Sequence, residues 1–155
     1  LQESLNPAHL QKTEQKILGN LYRTGDKVMQ IRNNYEKDVF NGDIGFIEHI
    51  DPIEQNLTLV IDGSRKLVYD FGELDEIVLA YAISVHKSQG SEFPAVVMPV
   101  LTQHYVILHR NLMYTAITRA SMRCVLVGNY KALRIAIDNT RVSQRYSHLA
   151  ERIKQ

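Results

Sequence analysis

Between Ser84 and Glu92 the chain sets six chemically distinct groups within nine positions: Ser84, His86, Lys87, Gln89, Gly90 and Glu92. Hydroxyl, imidazole, ammonium, amide and carboxylate thus crowd together just ahead of the apolar run Phe93 to Val100. Such density leading into a buried strand suits a loop at a sheet edge, where α/β proteins place their ligands. A second candidate is Arg119. In the stretch Leu108 to Ala120, apolar Leu108, Leu112, Ala116 and Ala120 recur every fourth residue and form one helical stripe. Arg119 follows Leu112 by seven positions and falls on nearly the same face. A half-buried guanidinium there needs an anionic partner, and its fork fits phosphate well. A structural pair with an aspartate or glutamate is the other reading.

The elements that must hold these groups change style along the chain. Leu1 to Asn20 is polar and mixed, with a turn at Asn6-Pro7 and a solvated stretch from Lys12 to Lys16. Leu21 to Arg23 and Val28 to Ile31 read as short strands around Thr24-Gly25-Asp26, and a loop begins at Asn33. After a turn at Asn41-Gly42-Asp43 three strands follow, joined by tight turns at Asp51-Pro52 and Asp62-Gly63 with no helix between them. They suggest a small antiparallel barrel over residues 41–75, inserted between 1–40 and 76–155. After it, Leu79 to Ala82 and Ala95 to Val100 read as strands, and Cys124 to Val127 as a buried one. Ser84 is placed to cap a brief helix through Gln89, and Leu108 to Ala120, Tyr130 to Ile137 and Arg145 to Ile153 read as helices. Strands alternating with helices imply an α/β fold, a mostly parallel sheet covered on both faces.

Composition narrows the class. The chain has 155 residues, 45% hydrophobic and 23% charged, enough for a globular core. A net charge of +1 argues against a broadly basic nucleic-acid binder but leaves room for a local basic patch. The single cysteine, Cys124, reads as a small core residue of a reducing compartment. No metal site is expected, and no membrane-length apolar run or signal peptide is visible, so a cytoplasmic location is expected. The chain opens on Leu1 rather than methionine, which reads as a piece of something larger.

The wording of two stretches adds a resemblance. His86-Lys87-Ser88-Gln89-Gly90-Ser91-Glu92-Phe93 resembles motif V of the superfamily-one helicases, in the form seen in RecD-like DNA helicases (the exodeoxyribonuclease V alpha-subunit family). Asn111 to Ala120, with its core Thr118-Arg119-Ala120, resembles motif VI. Upstream, Gly25 to Gln30, Asn33-Asn34-Tyr35 and Val39 to Gly45 look like the family wording ahead of its SH3-like barrel insert. The resemblance implies a RecA-like second motor domain from the C-terminal part of such an enzyme. In the family the arginine of motif VI reaches the γ-phosphate of ATP, a role carried here onto Arg119; such fingers are worth about 10³ to 10⁵ in rate. Glu92 resembles the carboxylate holding the ribose hydroxyls, with Gly90 letting backbone approach the phosphates and Gln89 beside them. Ser84 and His86 resemble positions on the backbone of single-stranded DNA, and Lys87 adds a phosphate contact.

Bland readings stand beside these roles. Ser84 also serves as a helix cap, His86 as a core histidine, Lys87 and Glu92 as solvated charges. Asn34 and Tyr35 could reach the strand or simply form a turn. Tyr69 and Phe71 could stack on bases, although in so small a barrel they suit the core better. No phosphate-binding Gly-x-x-x-x-Gly-Lys-Ser/Thr loop occurs in the sequence, nor an Asp-Glu pair after a buried strand. ATP and Mg²⁺ would then be shared with an N-terminal RecA-like domain of the same parent, which would hold the metal. The expected partners are that domain, single-stranded DNA and other nuclease–helicase subunits. Translocation is expected to run 5′ to 3′, and the chain alone is expected not to hydrolyse ATP. A nucleic-acid-binding or subunit-docking module and the helicase half of a conjugative relaxase are the alternatives.

Overall fold

The computed structural model describes residues 1–140; the helix expected over 145–153 lies outside the described residues. The chain divides into two compact units, Leu1–Ser91 and Glu92–Gln155.

In the first unit a one-turn helix α1 (Gln2–Leu5) precedes a hairpin of β1 (Glu14–Ile17) and β2 (Asn20–Arg23). Then come β3 (Lys27–Gln30), β4 (Ile44–Asp51), β5 (Asn56–Ile61), β6 (Arg65–Asp70) and β7 (Ile77–Leu79). These five form one sheet in the order β6-β5-β4-β3-β7, with every neighbouring pair antiparallel. Strict alternation builds it: Leu57, Leu59 and Ile61 on β5 are buried, while Asn56, Thr58 and Val60 between them are half-buried. Leu57 and Leu59 join Ile17, Tyr22, Val28, Ile47, Ile50, Tyr69, Leu74 and Ile77 in one core. A 3₁₀ segment, Phe71–Glu76, carries the chain from β6 to β7, with Asp70 and Glu73 forming a reciprocal capping box.

The second unit holds β8 (Phe93–Val100), α2 (Arg110–Ile117), β9 (Ala120–Gly128) and α3 (Tyr130–Asp138). β8 and β9 run parallel, from Phe93↔Ala120 to Val100↔Gly128. Each helix starts on a side-chain cap: His109 accepts from Leu112 N–H at 3.0 Å, and Asn129 from Ala132 N–H at 2.8 Å. Val100, Leu108, Leu112, Met113, Ala116, Ala132 and Ala136 are buried.

Several expectations change. The strand read at Leu79–Ala82 is Ile77–Leu79, and it pairs antiparallel with β3 in the first unit rather than in a parallel sheet. Together with β3 it extends the antiparallel sheet beyond residues 41–75. Among the described residues the parallel sheet has two strands, a small part of the expected α/β layer. β9 is long and apolar yet exposed along nearly all of its length, and Cys124 is exposed rather than a core residue. The side chains of a parallel strand are buried by elements packed on its two faces, and among the described residues β9 is exposed on both. The stretch from Lys12 to Lys16, half-buried to exposed, runs into β1. Tyr69 is fully buried, with its hydroxyl donating to Gln30 Oε1 at 3.1 Å, and Phe71 packs against the core, so neither is free to stack on a base.

Candidate nucleotide and nucleic-acid site

Ser84 to Ser91 forms a chain of tight turns rather than a helix. Ser84 Oγ accepts from Lys87 N–H at 3.3 Å and Ser84 C=O from Ser88 N–H at 3.1 Å. Ser88 is buried, donating its hydroxyl to Val85 C=O at 2.7 Å. Ser84 therefore does act as a local cap. His86, Lys87 and Gln89 are all exposed, so their polar tips reach solvent. The core alternative for His86 is excluded by that exposure. Gly90 turns the chain at φ +86°, where a side chain would be strained, and a Cβ there would meet no atom within 4 Å.

Glu92 and Arg119 belong to the second unit, and its parallel ladder brings them to one end. Phe93 N–H donates to Arg119 C=O at 2.8 Å, and Phe93 pairs with Ala120. The two residues thus sit immediately before the first paired positions of adjacent parallel strands. This is the amino end of the strands, whereas ligand crevices of open α/β sheets usually lie outside the carboxyl ends. Glu92 is exposed and Arg119 half-buried.

Arg119 reaches this place differently from the helical reading. α2 ends at Ile117 with Thr118 as its cap, so Arg119 is off the helix and its periodicity with Leu112 does not apply. Its Nε donates to Thr115 C=O at 3.3 Å and its Nη2 meets Thr118 Oγ1 at 3.4 Å. The guanidinium is steered by the last turn of α2, with carbonyl and hydroxyl partners at these two contacts.

The third group of candidates lies in the loop between β3 and β4. Asn34 and Val39 exchange two backbone hydrogen bonds, 2.8 and 3.0 Å, closing a small hairpin. The Asn34 amide is used inside it: Oδ1 accepts from Lys37 N–H at 3.1 Å and Nδ2 donates to Glu76 at 3.1 Å. Tyr35 instead projects outward, 77% exposed, edge-on to Phe40 with ring centres 6.1 Å apart. Phe40 had no place among the sequence candidates. Its five-residue separation from Tyr35 signals nothing until the 34–39 bridge folds the two rings together.

A guanidinium and a carboxylate at one strand end, near in sequence to a left-handed glycine, are chemistry suited to a triphosphate and to sugar hydroxyls. Among the described residues no cluster of three His, Cys, Asp or Glu could bind a metal ion.

Residues 1–61 match the family model described as the SH3 domain of ATP-dependent RecD-like DNA helicases, and residues 79–127 match the UvrD-like helicase C-terminal domain. The chain is 37% identical to the ATP-dependent RecD2 DNA helicase of Deinococcus radiodurans over 85% of its own length and 18% of that protein. It is 29% identical to the RecBCD enzyme subunit RecD of Mycolicibacterium smegmatis, over 85% of this chain and 23% of the relative. The chain therefore spans about a fifth of the length of these curated relatives. In fold it is similar to the Pif1 helicase from Bacteroides in complex with ADP-AlF3 and single-stranded DNA, with TM-score 0.57 and 16% identity, covering 98% of this chain and 40% of that one. Two helicase domain matches in chain order, with a RecD2 relative 37% identical over 85% of this chain, identify it: the chain belongs to the RecD-like superfamily-one helicases and corresponds to their C-terminal region.

Proposed function

We propose that this chain is the second motor region of an ATP-dependent DNA helicase of 5′ to 3′ polarity, working in the cytoplasm with an N-terminal motor domain of the same parent. In this reading Arg119 presents its guanidinium to the γ-phosphate, Glu92 holds the ribose hydroxyls, and Gln89 and Gly90 line the phosphates. Ser84, His86, Lys87, Asn34 and Tyr35 contribute to the single-stranded DNA track. ATP supplies the energy of the step, and the metal that accompanies it is held by the other motor domain. The observation that carries the reading is the juxtaposition of Glu92 and Arg119, joined through Phe93 N–H and Arg119 C=O at 2.8 Å. Relatives named as RecBCD subunits support a place for the parent in a nuclease–helicase complex.

The test has two parts. The 155-residue chain alone should show no ATP hydrolysis with or without single-stranded DNA; DNA-stimulated turnover would sink the reading. In the parent enzyme, Arg119→Ala should lower kcat by roughly 10³-fold or more, the range seen for lost arginine fingers, with DNA affinity little changed. Normal turnover in that variant would remove Arg119 from the nucleotide site.

A further inference from the structure

The Tyr35–Phe40 pair does not behave as core. Tyr35 is 77% and Phe40 43% exposed, although the backbone that carries them is tied down on every side. Besides the Asn34–Val39 bridge, Asn41 N–H donates to Asn33 Oδ1 at 2.9 Å, and Phe40 N–H to Asp43 Oδ2 at 2.9 Å. Val39, between them, is fully buried. Two large rings held rigidly in water lose little further freedom on binding, which favours a contact surface over a floppy loop tip.

What would such a surface take? The residues flanking the rings in sequence are polar, Asn33, Glu36, Asp38 and Asn41, and two rings alone offer too little apolar area for an ordinary protein interface. Nearby cations are already matched by acids: Arg32 with Asp75 at 2.7 Å, Lys37 with Glu73 at 2.6 Å, Arg65 with Asp38 at 3.2 Å. Phosphates are therefore not drawn to this loop, but flat uncharged rings are. The loop also ends beside the polar turn: a Cβ on Gly42 would lie 3.9 Å from Ser91 Oγ, within the same unit.

We infer that Tyr35 and Phe40 form a base-stacking step for single-stranded nucleic acid, gripping base faces while the Ser84–Ser91 turn meets the backbone. The inference deepens the DNA-track reading above and adds Phe40 to it. Stacking of this kind tolerates any sequence, because every base offers a flat face. It also differs in kind from a phosphate contact, whose loss reduces the salt dependence of binding.

The experiment measures binding of the full 155-residue chain to an oligothymidylate and to an equally long oligonucleotide of abasic sites, at several salt concentrations. Tyr35→Ala and Phe40→Ala should each weaken oligothymidylate binding by roughly five- to a hundredfold, with an unchanged salt slope and no effect on the abasic strand. Tyr35→Phe should retain wild-type affinity, and all three variants should keep the wild-type melting temperature because the rings are exposed. Unaltered oligothymidylate binding in the alanine variants would overturn the stacking step and leave the DNA reading intact. Equal losses on both strands would overturn it too, since base faces would then not be the contact. Failure of the wild-type chain to bind either strand would bring down the stacking step together with the DNA track.

Discussion

Asp26 is wholly shielded from water and accepts four hydrogen bonds: from Asn6 Nδ2 at 2.8 Å, Tyr81 Oη at 2.7 Å, Gln2 Nε2 at 2.6 Å and Arg23 N–H at 2.8 Å. Beside it Arg23 is equally buried, bonded to Glu3, Glu14 and the Asn6 carbonyl. One carboxylate thus fastens α1, the Asn6-Pro7 turn, the start of β3 and Tyr81, which leads into the Ser84 turn. Asp26→Ala would strand these donors in a dry site, at about 1–3 kcal/mol for each one left unsatisfied. We expect a loss of about 3 kcal/mol or more by urea unfolding, against less than about 1 kcal/mol for Glu48→Ala, whose partner Lys66 lies at the surface. Equal losses would mean that the network contributes no more than an exposed pair. Tyr69 gives a pH signature. Burial first, and then Glu76, push its hydroxyl up from 10.0 to about 12. A group whose folded pKa is raised holds its proton more tightly when folded, so its stabilisation is complete below pH 10 and fades as pH rises from there through about 12. Melting temperatures between pH 9 and 12 should fall less steeply in Tyr69→Phe than in the wild type, checked with tyrosinate absorbance. The same variant should be less stable at neutral pH, because Gln30 Oε1 loses its buried donor. An identical alkaline slope would place the titration elsewhere.

At the scale of elements, Gly128 sets the spacing of the parallel pair. A Cβ there would lie 1.8 Å from Val100 C=O, backbone that cannot rotate away. Gly128→Ala must force β8 and β9 apart at their carboxyl ends. The cost should reach about 3 kcal/mol, the upper end for overpacking, seen as a lowered melting temperature. A neutral substitution would show that the strand ends already tolerate separation. Period-2 alternation and turn residues made the antiparallel strands legible: Asp62-Gly63 and Asn41-Gly42-Asp43 fall at turns in the structure. The helices α2 and α3 were legible from their apolar stripes, although α2 stops short because Thr118 closes it. Pairing partners were not legible. Nothing in Ile77 to Leu79 distinguishes a barrel strand from a parallel one, since both are short apolar runs. The same limit misplaced Cys124, because an apolar run does not state how many neighbours it has. At the candidate site the residue wording singled out Glu92 and Arg119, while their shared strand end follows only from the Phe93–Ala120 register.

At the scale of the molecule the two units differ in how far they satisfy themselves. The first has a continuous core of ten buried residues beneath a five-stranded sheet, a size at which an antiparallel unit is independently stable. The second leaves Met122, Val125, Leu126 and Val127 exposed on a strand that, among the described residues, pairs only with β8. Parallel strands are normally covered on both faces and flanked on both sides. Among the described residues the outer edge of β9 has no partner, and an apolar edge of this length is a template for unwanted pairing. Amide exchange should therefore separate the units. Central amides of β4 and β5 should exchange through global opening, whereas alternate amides along β9, those facing away from β8, should exchange within the dead time of the measurement. The first unit is thus expected to show the higher protection at equal temperature. Uniform protection along β9 at low protein concentration would mean that its outer edge is already paired. Concentration-dependent protection would instead identify a second copy of the chain as the cover. In the parent enzyme the same alternate amides should become slow, because a β9 edge left open would compromise the strand end on which Glu92 and Arg119 are held in register.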